Sequence, residues 1–212
     1  YRAGPPDGVS PGIVVFYMAV LDTRPIPTLE TLTLHEGIPG HHYQVTLVNE
    51  DKRLPEALKR GGSTAYSEGW GLYAESLGRE LGMFTDPWSW FGHLDMEMLR
   101  AVRLVVDTGL HALGWSRDRA IATMLDNTSM APRDVAVEID RYIAQPGQAC
   151  AYKIGELTFS RLRRQAAAAL GPKFDVRDFH EVCLDTGALP LAVLETKVRD
   201  WIAAGGGRPV QS

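Results

Sequence analysis

Cysteine is almost missing from this chain, with only Cys150 and Cys183, far apart and without paired spacing. That excludes a disulfide framework and a thiolate zinc site, both of which need cysteines at close, regular intervals. Long apolar runs are missing too. The best stretch, Leu104 to Trp115, is interrupted by Asp107 and His111 and falls short of the ~18–20 apolar residues of a membrane helix. Neither sign of charge dominates: 22 basic against 26 acidic residues leave a formal net charge of -4, too weak a field to gather nucleic acid or anionic lipid. No nucleic acid partner and no membrane segment are therefore expected. The opening residues, Tyr1-Arg2-Ala3-Gly4-Pro5-Pro6-Asp7, show neither an initiator methionine nor an apolar signal. The numbered chain thus reads as a processed form or a piece of something longer, and its compartment stays open.

What is present suits a folded domain. With 212 residues, of which 45% are hydrophobic and 23% charged, the chain can bury one sizeable core. Strand signals are few: Ile13 to Ala19, bounded by Pro11-Gly12 and by Asp22 through Pro27, predicts a short N-terminal edge strand. Helix signals fill the rest. Thr28 can open a helix through Glu50, Ser63 or Thr64 one through Leu81, and Asp86 with Pro87 a long one to Gly114. Further starts lie at Ser116, Ala131-Pro132, Gly147, Asp175 and Leu189-Pro190, for seven or eight helices in all. The expected fold class is mainly α with that one edge strand.

Three of the six histidines fall in the segment His35-Glu36-Gly37-Ile38-Pro39-Gly40-His41-His42. The order His-Glu, gap, His is that of helical zinc hydrolases, where two imidazoles bind the metal and the carboxylate between them is the base for its water. The spacing departs from that pattern, because ligands on a regular helix stand four apart, whereas these follow His35 by six and seven residues. On an unbroken helix His41 points to the far side, and His42 lies ~10 Å further along the axis. Pro39 and Gly40 supply a break that could return His41 to His35. The bland alternative is a pair of ordinary helix-end histidines beside a Pro-Gly turn.

A zinc bound by two histidines needs a third protein ligand and an open position. Glu68 and Glu75 are seven apart and share one helical face, with Gly69 and Gly71 between them leaving room for close approach. Glu68 is the expected third ligand and Glu75 the group that orients a ligand histidine; a solvated helix face is the alternative for both.

The string from His35 to Gln44, Glu68-Gly69-Trp70 to Glu75, Val106-Asp107-Thr108-Gly109-Leu110-His111 and Pro146-Gly147-Gln148-Ala149-Cys150-Ala151-Tyr152-Lys153-Ile154-Gly155, followed by Phe179-His180 and Leu189-Pro190-Leu191, closely resemble the C-terminal part of a bacterial family labelled domain of unknown function 885. The resemblance covers nearly the whole chain. It implies a single C-terminal, zincin-like catalytic domain over residues 1–212 within a larger helical-channel fold. Relatives of that kind are zinc peptidases of the angiotensin-converting and oligopeptidase types, and an N-terminal helical half would be absent here. It also offers Tyr152 as donor to a developing oxyanion, with a packed core tyrosine as the alternative.

Two polar stripes remain. Arg103, Asp107 and His111 are spaced by four on an otherwise apolar helix, and they form an internal salt-bridged ribbon, line a cleft or support the metal. Gln148, Tyr152 and Glu156 share another face. His180 is a candidate for substrate contact during catalysis, and His93 reads as a surface residue. The resulting expectation is a zinc peptidase with His35, His41 and Glu68 as ligands and Glu36 as base, acting on peptides paired to the edge strand. A structural metal module in which His42 closes the fourth position, or an inactive remnant, is the rival. The missing half, or a second copy in a homodimer, would cover the apolar surface left open.

Overall fold

The structure, a computed structural model, describes every residue except 6–9, 17–20, 22–23, 61 and 209–212. Among the described residues the fold is all-α, and the expected edge strand does not form. Residues 13–16 contribute only an isolated antiparallel bridge between Arg2 and Ile13, while 17–19 lie outside the described residues. The physical reason is the lack of a partner sheet, since a lone strand pair has little stability in water. Ile13, Val15 and Phe16 accordingly stay exposed instead of burying one face. The peptide-pairing edge goes with the strand.

Ten α-helices follow among the described residues: α1 (Leu29–Glu36), α2 (His41–Glu50), α3 (Glu56–Arg60), α4 (Thr64–Ser76), α5 (Pro87–Ala112), α6 (Arg117–Asn127), α7 (Pro132–Ala144), α8 (Gln148–Leu170), α9 (Val176–Leu184) and α10 (Leu191–Ala203). Side-chain caps open four of them, with Ser63, Asp86, Ser116 and Asp175 accepting from backbone N–H groups of α4, α5, α6 and α9. Thr28 does not cap α1, because a short 3-10 turn over Ile26–Thr28 runs straight into it. No helix is long and apolar enough to cross a membrane among the described residues.

Two hydrophobic clusters meet along α8. One gathers Tyr66, Trp70 and Tyr73 of α4 with Phe159 and Leu162 of α8, Phe179 and Val182 of α9, and Leu194 and Val198 of α10. The other joins Val102 and Val106 of α5 with Met124 of α6, Val135, Ile139 and Tyr142 of α7, and Ala149 at the start of α8. Helices α4 and α8 touch backbone to backbone. A Cβ on Gly155 would lie 1.9 Å from the Ala65 carbonyl oxygen, and one on Gly69 would lie 2.4 Å from Gly155 Cα, so this crossing requires glycine on both sides. His93, read from sequence as a surface residue, is buried at 5% exposure and stacks on Phe84 with ring centroids 4.8 Å apart.

Candidate metal centre

The single helix expected over Thr28 to Glu50 is two helices with a complete break between them. Gly37 to Gly40 reverse the chain at the end of α1, and α2 begins at His41. A Cβ on Gly40 would stand 1.9 Å from the His35 carbonyl oxygen, so no residue with a side chain permits this fold-back. The break sets the His41 ring edge-on to His35, with centroids 4.6 Å apart at 84°. His42 turns elsewhere: its Nδ1 lies 3.4 Å from the Tyr1 hydroxyl.

From α4, Glu68 reaches the same point. Its Oε2 stands 3.5 Å from His35 Nε2 and 3.3 Å from His41 Nε2, and one ligand atom from each of the three residues lies within 4.8 Å of the others. Donors about 2.1 Å from a tetrahedral zinc stand about 3.4 Å from one another, so the carboxylate's distances to both imidazoles fit a divalent ion. This His/His/Glu cluster could hold such an ion. The opposite face of α4 carries Tyr66, Trp70 and Tyr73 into the core, which fixes the rotation that aims Glu68, Gly71 and Glu75 at α1. Gly71 is needed there because a Cβ would lie 2.7 Å from His35 Cε1.

Glu75 orients the first imidazole. His35 Nδ1 donates to Glu75 Oε1 at 2.8 Å, and the same oxygen accepts from Arg100 Nη2 at 2.9 Å. With Nδ1 committed to a carboxylate, Nε2 is the nitrogen left to face a cation. Burial disfavours a charged His35 ring, yet hydrogen bonds to Glu68 and Glu75 outweigh it and push the pKa up to about 9. Burial likewise works to raise Glu68, but its bonds to His35 and His41 hold the carboxyl well below the usual range. The centre is therefore anionic at its Glu68 corner and built to receive positive charge. Glu36 ends α1 next to His35 in the sequence.

Helix α8 closes the other side. Gln148 Nε2 reaches Glu68 Oε1 at 3.5 Å and the Tyr152 hydroxyl at 3.3 Å. The Tyr152 ring lies nearly parallel to His35 at 6.2 Å between centroids. Burial, and then the Glu68 charge, raise the Tyr152 pKa, so the hydroxyl keeps its proton. Glu156 leaves this group for Lys153 and Ser160.

The α5 ribbon divides its work. Arg103 lies over the Tyr152 ring at 4.6 Å and donates to the Tyr142 hydroxyl at 2.6 Å and to Glu138 Oε2 at 2.9 Å. Asp107 accepts from the Gly147 backbone N–H at 3.1 Å with each oxygen, fixing the start of α8. His111 donates from Nε2 to the Tyr142 carbonyl at 2.9 Å. The ribbon thus braces the α7–α8 corner that presents Gln148 and Tyr152, and none of the three residues touches another in an ion pair. His180 is not gathered with the cluster: its Nε2 lies 2.8 Å from the Tyr73 hydroxyl, and its ring packs on Trp70 and Phe179.

Four residues of this arrangement were missed by sequence reasoning. Arg100 holds Glu75, Arg141 donates to Gln148 Oε1 at 2.6 Å, and Glu138 with Tyr142 anchors Arg103. Arg100 had a signal, since it stands three residues before Arg103 on the same ribbon. The α7 residues had none.

A protein of Colwellia psychrerythraea, described as a lipoprotein, is similar over 94% of this chain at 46% identity with a TM-score of 0.91. A second, from Shewanella oneidensis and described as a lipoprotein of unknown function, is similar over 78% of the chain at 26% identity with a TM-score of 0.71. This chain spans 34% of the first and 30% of the second. No curated protein matches it significantly. The family model described as "Bacterial protein of unknown function (DUF885)" matches residues 1–198, and the chain, which shares its helices and sequence with the Colwellia protein, belongs to that family.

Proposed function

We propose that the cluster is a zinc site and that it serves hydrolysis of peptide bonds. The observation that carries this reading is the ligand count. His35, His41 and Glu68 offer three donors, while His42, which would supply a fourth, is turned to Tyr1; three protein ligands with one position open is the pattern of catalytic zinc. Zinc, when bound, supplies Lewis acidity to a water and to the scissile carbonyl. Glu36, adjacent to a ligand, takes the proton from the attacking water and returns it to the leaving amine. Tyr152, held protonated by burial and the Glu68 charge, donates a hydrogen bond to the oxygen that becomes negative. Glu75 and Arg100 keep His35 in place. His180 contacts the substrate from the neighbouring Trp70 side in this reading.

The test is Glu36→Gln. The variant keeps one zinc per chain by elemental analysis and loses on the order of 10²–10⁴ in peptide cleavage rate; full activity in the variant removes Glu36 from the reaction. A second reading, a metal-binding module without turnover, requires only the three donors that meet here. Stoichiometric zinc with no cleavage of any unblocked or blocked peptide by the wild-type protein selects it.

A further inference from the structure

A cavity of about 350 Å³ opens from Glu68 and runs between α2 and the first turn of α4 to Lys59 on α3. Gln44 stands three residues after His41 on α2, and Thr64 and Ser67 precede Glu68 on α4, all lining the cavity. Gln44 is only 4% exposed, and its amide nitrogen has no hydrogen-bond partner. A buried amide donor that the protein leaves unpaired is open to a polar group of a ligand or to a water. The second group is Lys59, whose side chain is 8% exposed and whose ammonium, among the described residues, pairs with the exposed Glu56 alone, at 3.8 Å. Asp51, another acid near it, is engaged by Arg53 through two side-chain bonds, at 2.9 and 2.6 Å, and one from its backbone N–H at 2.8 Å. The far end of the cavity thus presents a sequestered cation with weak neutralisation, and its middle an unused amide.

We propose that this cavity binds the C-terminal carboxylate of a peptide, with Lys59 taking the charge and Gln44 bonding the last peptide group. The proposal rests on the peptidase reading and gives it a substrate class. From His41 to Val48, which lines the cavity further along α2, the helix rises about 10 Å, which an extended chain spans in about three residues. A peptide anchored at Lys59 therefore presents a bond near its C-terminus to the metal centre. Water adds across that amide, leaving a new carboxylate on the upstream part and a free amine on a short released fragment.

The deciding measurement is equilibrium binding, which does not depend on turnover. Acetyl-alanyl-alanine and its C-terminal amide are titrated by NMR into the chelator-treated protein, and the free acid is expected to bind at least tenfold more tightly. Lys59→Met, checked for native fold by circular dichroism, reduces that preference below threefold, and Gln44→Leu weakens both probes. Should Gln44→Leu fail to fold, the Lys59 variant alone decides. Equal affinity for acid and amide overturns the proposal, as does an undiminished preference in Lys59→Met. Preference for the acid without any peptide cleavage by the zinc-loaded protein leaves the carboxylate site standing and removes the peptidase reading. Cleavage indifferent to a C-terminal amide does the reverse.

Discussion

Glu75 is fully buried, shares one oxygen between His35 and Arg100, and leaves the other without a partner. It can position His35 only while it carries charge, since the charge holds Arg100 and fixes the proton on Nδ1. Glu75→Gln is therefore expected to lower zinc affinity by about 10–100-fold, read by competition with a chelator; unchanged affinity excludes the role. His180 makes a prediction independent of metal. Burial, and then the Arg163 cation, push its pKa down to about 4, against about 6.5 in an unfolded chain. Below pH 6.5 the unfolded state takes up a proton that the folded state refuses, so stability is full above pH 6.5 and declines as pH falls toward 4. The loss amounts to at most about 3 kcal/mol, and urea denaturation of His180→Gln should show a flatter profile across that window. At this scale the sequence was informative where chemistry and helical spacing coincide, as in His35, His41, Glu68 and Glu75. Arg100, Glu138, Arg141 and Tyr142 earn their places through contacts across the fold, and no local spacing announces Glu138 or Tyr142. His93 was misread for the same reason, because the aromatic pair Phe84 and Trp90 that encloses it is assembled by tertiary packing.

Helix starts were legible because Ser63, Asp86, Ser116 and Asp175 bind backbone N–H groups whatever lies beyond them. The edge strand was not, since Ile13 to Phe16 have the composition of a strand but meet no sheet, and pairing partners are invisible in a local window. The break at Gly37–Gly40 falls between these cases: Pro39 and Gly40 signal a departure from helix, while its extent, two separate helices, follows from the fold-back onto the His35 carbonyl. Two glycines, both in helices and both unfavourable there by about 1 kcal/mol relative to alanine, give an element-level test because a methyl group meets different things at each. In Gly71→Ala the Cβ meets the His35 ring at 2.7 Å, a side chain that can swing aside. Zinc affinity should fall at least tenfold while the metal-free protein keeps its stability within about 1 kcal/mol. In Gly155→Ala the Cβ meets the Ala65 carbonyl at 1.9 Å, and neither backbone can yield without parting α4 from α8. That variant should lose roughly 1–3 kcal/mol or more in denaturant titration. Equal destabilisation by the two changes would show that His35 is not what Gly71 makes room for.

The two cores lie on either side of α8, and the donors of the metal centre come from α1, α2 and α4, elements that the chain joins through the Gly37–Gly40 break and through α3. Only α4 of these donates large aromatic side chains to a core; α1 buries Thr31, Leu34 and His35, and α2 buries Gln44 and Val48. The two short helices are thus the weakly anchored part of the molecule, and a bound ion would tie both to α4. An ion that binds the folded chain and not the unfolded one stabilises it by mass action, by about 2.7 kcal/mol at a free concentration one hundred times its dissociation constant. Zinc should accordingly raise the thermal midpoint of the protein, and hydrogen exchange should slow most in α1 and α2, the segments whose opening releases the ion. Glu68→Ala removes the only donor on the well-anchored helix, so both effects should vanish in it although His35 and His41 remain. Protection gained evenly over all the helices, or retained in Glu68→Ala, would mean that the ion binds elsewhere and that the three residues meet without serving as its clamp.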